Sequence, residues 1–332
     1  MKFFLIIIFL HSAYVVGGNI EAHLERTITT SWGIYDAQLS PDGNKFVVAS
    51  FREATIYSIA DYKIDKVLWH GDAINKVRYN SDGTKILTCS DGKGAKIWNT
   101  ENGNRLQELE HEGEVVAAEF SPDGTKVVTV SIVRHATDKW EKTHFIKIWD
   151  IDGREMHSIA GDFTFQPTAA IFDKDSTQVI VAAGSVITLF NLNGELTGKF
   201  FKENINTVWS ISLSSNGEKL VISSAGSTVE ICDLGTQSSL YTLKPTGIPC
   251  SATFSSDGLL IASADFSHAS IWETQSGNLL LTISQSESSI KRINTAIFNE
   301  NGHRLVLAGL GNLGGAIEIW SLKFGSRVKK AE

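Results

Sequence analysis

Ser121-Pro122-Asp123-Gly124-Thr125-Lys126-Val127-Val128-Thr129-Val130 reads as a turn running into a strand, and the chain writes versions of it seven times. The serine can accept a backbone hydrogen bond, the proline presets φ, and the glycine suits the fourth place; together these are the preferences of a type I turn. Equivalent turns begin at Ser40, Asn80, Ser121, Asp173, Ser214, Ser255 and Asn299, so the spacings are 40, 41, 52, 41, 41 and 44 residues. The turn at Asp173 lacks the glycine, with Ser176 in its place. A period of about 40 to 45 residues with strands on both sides of each turn marks a β-propeller, in which small sheets stack face to face around an axis.

Each turn is followed by a run rich in Val, Ile and Leu, at residues 45–51, 85–90, 126–132, 178–184, 219–225, 259–265 and 304–310. The runs are nearly continuous instead of alternating, as expected when both faces of a sheet are covered. A third strand then closes on a large or apolar residue followed by a polar one: Tyr57-Ser58, Trp98-Asn99, Trp149-Asp150, Phe190-Asn191, Cys232-Asp233, Trp272-Glu273 and Trp320-Ser321. At this point the chain resembles the WD-repeat family, whose units close on Trp-Asp after a strand like Phe145-Ile146-Lys147-Ile148-Trp149. Trp149-Asp150 is the literal match. His70 and His111 stand where the family places a histidine, with Trp69 and Glu110 in place of its preceding glycine. The resemblance implies that these histidines are structural, and that the chain is a binding platform without enzymatic activity.

A fourth strand comes after each unit except the last, where only residues 323–332 remain. Residues 20–29 precede the first unit, match none of the repeats and read as an outer strand. The expected fold is therefore all-β: a seven-bladed propeller of four-stranded antiparallel blades, its ring closed by the N-terminal strand, which hides edges an open array would leave bare. The expected domains are a signal peptide at 1–18, the propeller at 19–322 and a basic tail at 323–332.

The signal peptide rests on Met1-Lys2, the uninterrupted apolar run 3–10, and the small residues Gly17 and Gly18. The run is shorter than the ~20 residues of a spanning helix, so removal, without membrane insertion, is expected. Secretion or residence in the secretory lumen is the corresponding location, with a cytoplasmic chain as the alternative. The 30 Lys and Arg against 37 Asp and Glu give a net charge of −7, which in bulk attracts neither nucleic acid nor anionic membranes. The partner class that remains is protein, bound by a monomeric propeller. Three cysteines, Cys89, Cys232 and Cys250, read as buried thiols on inner strands, and their odd number argues against a disulfide framework or a zinc site.

No cofactor or metal is expected. Gly309-Leu310-Gly311-Asn312-Leu313-Gly314 fits GxGxxG, but it runs on into Ala316-Ile317-Glu318-Ile319-Trp320, a strand, whereas a dinucleotide needs the loop to open a helix. The enzyme alternative is a secreted hydrolase resembling the lactonase-type propellers, which would need carboxylates or imidazoles converging from the starts of inner strands. The residues there are Gly33, Ala73, Glu114, Gln166, Thr207, Ile248 and Arg292, of which only one is acidic.

For binding, the long third spacing stands out. About ten extra residues between the second and third strands of that unit carry Arg134, His135, Lys139, Trp140 and Lys142, and Trp and Arg dominate interface energies. In the resembled family this connection shares a face with the loops between blades. Trp32, Phe51, Arg52, Phe163, Phe165 and Phe266 are further candidates on that face.

Overall fold

At all seven turns the side-chain oxygen of the first residue accepts the N–H five residues on. Ser40 serves Lys45, Asn80 serves Lys85, Ser121 serves Lys126, Asp173 serves Gln178, Ser214 serves Lys219, Ser255 serves Leu260 and Asn299 serves Arg304, at 2.8 to 3.0 Å. The backbone N–H of the fourth residue returns to the carbonyl of the first, as in Gly124 to Ser121 at 2.8 Å. That fourth residue is left-handed each time, with φ of +64 to +75° at the six glycines and +58° at Ser176. A glycine holds this conformation without strain, whereas a serine resists it.

In the computed structural model these turns join seven antiparallel sheets, and residues 14–17, 20–92, 94–134, 142–161, 165–201, 207–284, 287–299 and 301–325 are described. Every sheet holds four strands in sequence order, apart from the last, which holds five. The protein is a seven-bladed β-propeller, as its repeats require.

Two compact units divide the chain, residues 37–211 and residues 212–332 with the first 36. In the first unit, Val47, Ile56, Leu68, Ile74, Val77 and Ile86 pack blade 1 against blade 2. Leu87, Ile97, Val115, Phe120 and Val127 do the same for blades 2 and 3, and Val128, Ile146, Phe172 and Val179 for blades 3 and 4. In the second unit, Val221, Ile231, Ala252 and Ile261 join blades 5 and 6. The largest cluster joins blades 6 and 7 around the fully buried Trp320.

Inner strands carry a bulge at a repeated place. Pairing skips Asn75, Val116, Thr168, Cys250 and Asn294, each of which is an extra residue on its strand. Freed from its own ladder, the bulged side chain of four of these residues reaches the backbone of the next blade. Asn75 Nδ2 donates to the Val115 carbonyl at 3.0 Å, Thr168 Oγ1 to Val208 at 2.7 Å, and Cys250 Sγ to Ile293 at 3.3 Å. Asn294 Nδ2 donates to Ile34 at 2.7 Å. Cys250 alone of the three cysteines lies on an inner strand: Cys89 is on the second strand of its blade and Cys232 on the third, and all three are free thiols. The expectation that all three lie on inner strands is corrected, because continuous burial makes second, third and inner strands read alike.

The closing strand is Ile20–Thr30, which pairs antiparallel with Gly315–Phe324 from Ile20 opposite Phe324 to Thr30 opposite Gly315. Lys323 therefore belongs to the last strand, which runs two residues beyond the boundary read from the sequence. A short strand, Tyr14–Gly17, pairs on the outside of the closing strand and makes the fifth member of that sheet. The extra residues of blade 3 are mostly hairpin: Lys126–Arg134 and Lys142–Asp150 are each nine residues long and stay paired to Arg134 opposite Lys142. Only its tip, residues 135–141, lies outside the described residues.

Candidate partner-binding surface

The candidate surface is made of the ends of these hairpins and the loops between blades. Arg134 closes the long hairpin, where its Nη2 donates to both carboxylate oxygens of Glu114, at 2.7 and 2.8 Å. The Glu114 hydrogen bond holds the Arg134 proton more firmly than usual. Both groups keep contact with solvent, so the pair fixes the hairpin's direction more than it stabilises the blade. Across the hairpin, Lys142 Nζ reaches Gln166 Oε1 at 3.4 Å, which places it beside the exposed Phe165. The Phe165 ring covers Gly184: a Cβ there would lie 2.4 Å from the ring. This aromatic is thus held by its own blade while presenting its outer edge.

On blade 1, Phe51 and Arg52 form the turn between second and third strands, with the Arg52 guanidinium 5.2 Å from the Phe51 ring centre. The Arg52 carbonyl accepts from His70 N at 2.9 Å, so this turn is anchored to the loop leading into blade 2. Trp32 is 55% exposed and lies just past the closing strand, its carbonyl accepting from Thr30 Oγ1 at 2.7 Å. His135, Lys139, Trp140 and Phe163 lie outside the described residues. Of the candidates read from the sequence, the structure brings together Phe51 with Arg52 and Lys142 with the Phe165–Gln166 loop.

His70 and His111 lie inside their blades. Trp149 Nε1 donates to Thr129 Oγ1 at 2.9 Å, Thr129 faces His111 Nε2 at 2.8 Å, and His111 Nδ1 faces the Leu109 carbonyl at 2.8 Å. A carbonyl can only accept, so Nδ1 carries the proton and Nε2 accepts from the threonine. In blade 2, His70 meets Thr88 at 2.8 Å and Ser90 at 2.9 Å, and Trp98 Nε1 donates to Thr88 at 2.8 Å. Burial pushes both imidazoles down to about 4, so they are neutral at pH 7.

On the blade 6–7 rim, sequence reading named Phe266 and Trp32 but missed Arg292 and Leu313 as binding residues. The Arg292 guanidinium lies 4.0 Å from the Phe266 ring centre, and Leu313, at the tip of the turn between the last two strands, is 95% exposed. The GxGxxG stretch is a strand connection, and its glycines answer to crowding. A Cβ at Gly309 would lie 1.9 Å from the Arg292 carbonyl oxygen, and one at Gly314 would lie 2.0 Å from that of Thr30. An exposed leucine between such glycines was the available signal. Among the described residues, no three His, Cys, Asp or Glu gather in a way that could hold a metal ion, and no helix is long and apolar enough to cross a membrane.

A family model described as eukaryotic translation initiation factor eIF2A matches residues 11–166 and 267–332, more than half of the chain. The chain belongs to the eIF2A family. The match covers blades 1 to 3 and the last blade, and leaves out blades 4 and 5 with the first half of blade 6. Other relatives are WD-repeat proteins. The chain is 24% identical over 229 residues to the serine-threonine kinase receptor-associated protein of Dictyostelium discoideum, covering 58% of this chain and 77% of that one. It is 23% identical over 322 residues to the WD repeat-containing protein 26 homolog of Arabidopsis thaliana, covering 91% of this chain and 50% of the relative. With the transcriptional corepressor LEUNIG_HOMOLOG of Arabidopsis thaliana it shares 25% identity over 184 residues, 54% of this chain and 21% of the relative. The chain thus spans half or less of the length of two of these three relatives.

Proposed function

We propose that the chain is a non-enzymatic protein-interaction platform that works in the secretory pathway or outside the cell. The observation that carries the platform reading is an exposed aromatic, Phe165, held over Gly184 by its own blade, within a fold whose relatives carry WD repeats. The secretory location rests on Met1-Lys2 and the apolar run 3–10. Replacing residues 134–143 with a short Gly/Ser turn tests the platform, since surface hairpin tips tolerate shortening at small entropic cost. Capture of partners should fall while melting stays unchanged, and Trp140→Ala alone should weaken binding by about 2 kcal/mol as a central anchor. Mass spectrometry of the chain recovered from medium tests the location, with a start at Gly18 or Asn19 expected.

A second reading is an intracellular scaffold in translation initiation, favoured by the eIF2A family match. Co-sedimentation of a tagged chain with ribosomal subunits, together with an intact N-terminus, would select it.

A further inference from the structure

From the rim of blades 6 and 7 we infer a docking site for an acidic peptide segment with an apolar anchor, donated by a partner protein. This deepens the platform reading and rests on it. The surface is continuous through backbone contacts. Gly247 N donates to Asp265 at 2.9 Å, which sets the 41%-exposed Ile248 beside the Asp265–His268 turn that carries Phe266. The Phe266 carbonyl accepts from Ile293 N at 3.2 Å, which brings the turn against the start of the last inner strand and under the Arg292 guanidinium. Arg292 is paired in register with Leu310, and Leu310 in turn packs so closely on Gly33 that a Cβ there would lie 2.3 Å from its side chain. Next to Gly33 stands Trp32, and the turn bearing Leu313 lies on the Thr30–Trp32 backbone with no space for a Cβ at Gly314.

The chemistry of the patch selects its occupant. Lys291 and Arg292 are both exposed, and the Arg292 guanidinium spends its described contact on an aromatic face, not a carboxylate. The neighbouring acid, Asp265, is 1% exposed and filled by the N–H groups of Gly247, Ser267 and His268. Glu318 is likewise buried, accepting from Ser289 and Trp320. The Arg292 guanidinium therefore faces outward here on a chain of net charge −7, so an acidic segment is repelled by the bulk of the molecule and drawn to this rim. Ile248, Leu313 and Trp32 flank the cations with exposed apolar surface, the arrangement that accepts a large side chain from the same segment.

The test is fluorescence anisotropy on the purified full chain with a labelled ten-residue peptide of Asp, Glu, Leu and Phe. A peptide with Lys replacing the acids and a single-stranded RNA oligonucleotide serve as competitors. Binding should be saturable, and Arg292→Glu and Trp32→Ala should each weaken it at least tenfold with unchanged circular dichroism and melting. The Lys peptide and the RNA should not displace the probe. Equal binding by Arg292→Glu, or displacement by RNA, overturns the inference. If the acidic peptide fails to bind while capture still depends on residues 134–143, the platform stands and this site falls; if neither binding nor capture is seen, both fall.

Discussion

Blades 2 and 3 secure their tryptophans with neutral histidine, while blade 7 uses a buried carboxylate. In blade 3, Trp149, Thr129 and His111 form a chain of donors ending on the Leu109 carbonyl. In blade 7, Ser289 holds the place that His70 and His111 occupy, four residues before the inner strand's first apolar residue. Glu318 Oε1 accepts from Ser289 N at 2.6 Å and Ser289 Oγ at 2.8 Å, and Glu318 Oε2 from Trp320 Nε1 at 3.0 Å. The same task, satisfying a buried indole N–H and ordering the loop before an inner strand, is met by two chemistries of opposite charge tendency. The histidine network lies within one continuous stretch of chain, and blade 7 is assembled from both ends.

The largest effect expected from this contrast comes from removing the closing strand. A chain beginning at Ser31 should lose its cooperative melt and aggregate, because Ile20, Ala22 and Ile28 leave the core and the partner strand becomes an open edge. A melt equal to that of a chain beginning at Asn19 would break the contrast.

Next comes acid. The folded-state pKa of His70 and His111 is depressed to about 4 from an ordinary 6.5, first through burial. The unfolded chain therefore takes up protons that the folded chain refuses. Their stabilisation is complete above pH about 6.5 and declines as pH falls to about 4, by up to about 3 kcal/mol for each histidine. Glu53, raised by burial, works in the opposite sense. Hydrogen bonds from Ser40 and Thr84 lower Asp42 and Asp82, so these turns weaken only below the ordinary carboxylate range. Chemical denaturation across pH 4 to 7 should lose most of this slope in a His70→Gln, His111→Gln double variant.

Glu318→Gln should cost about 2 kcal/mol at pH 7, since the amide offers one acceptor where three donors converge. An unchanged midpoint would mean that the charge is not what orders Ser289. Smaller still, Tyr79→Phe should leave stability equal or raise it by about 1 kcal/mol, because the Tyr79 hydroxyl is buried with no hydrogen-bond partner among the described residues. Least of all, Ser176→Gly should change stability by under about 0.5 kcal/mol: relief at φ +58° is offset by losing the bond from Asp123 N to Ser176 Oγ at 3.1 Å.

The propeller was legible in the turns because one side-chain acceptor and one left-handed residue recur at a fixed interval, and both leave a mark on residue choice. Closure was legible as well, since an unmatched strand and a missing one balance. What escaped were features without periodic residue signals. Arg134 and Lys142 count among the extra residues between strands, yet they pair across the long hairpin of blade 3. The bulged positions hold Asn75, Val116, Thr168, Cys250 and Asn294, which share a backbone role but not a residue type. Tyr14–Gly17 sits where apolar leader residues and strand residues look the same. On the candidate surface, Phe51 and Phe165 were found because aromatics in turns are conspicuous, while the Arg292–Phe266 stack joins residues from different blades and no spacing foretells it.

Ile20 lies opposite Phe324 in the closing sheet, so the closing strand begins where the last strand ends. A short turn could join those two residues, and new ends could be opened at the turn of another blade, trading a latch made by association for one made covalently. For the native chain the consequence is positional. The backbone on either side of the Ile20–Phe324 pair therefore meets at one corner of that sheet.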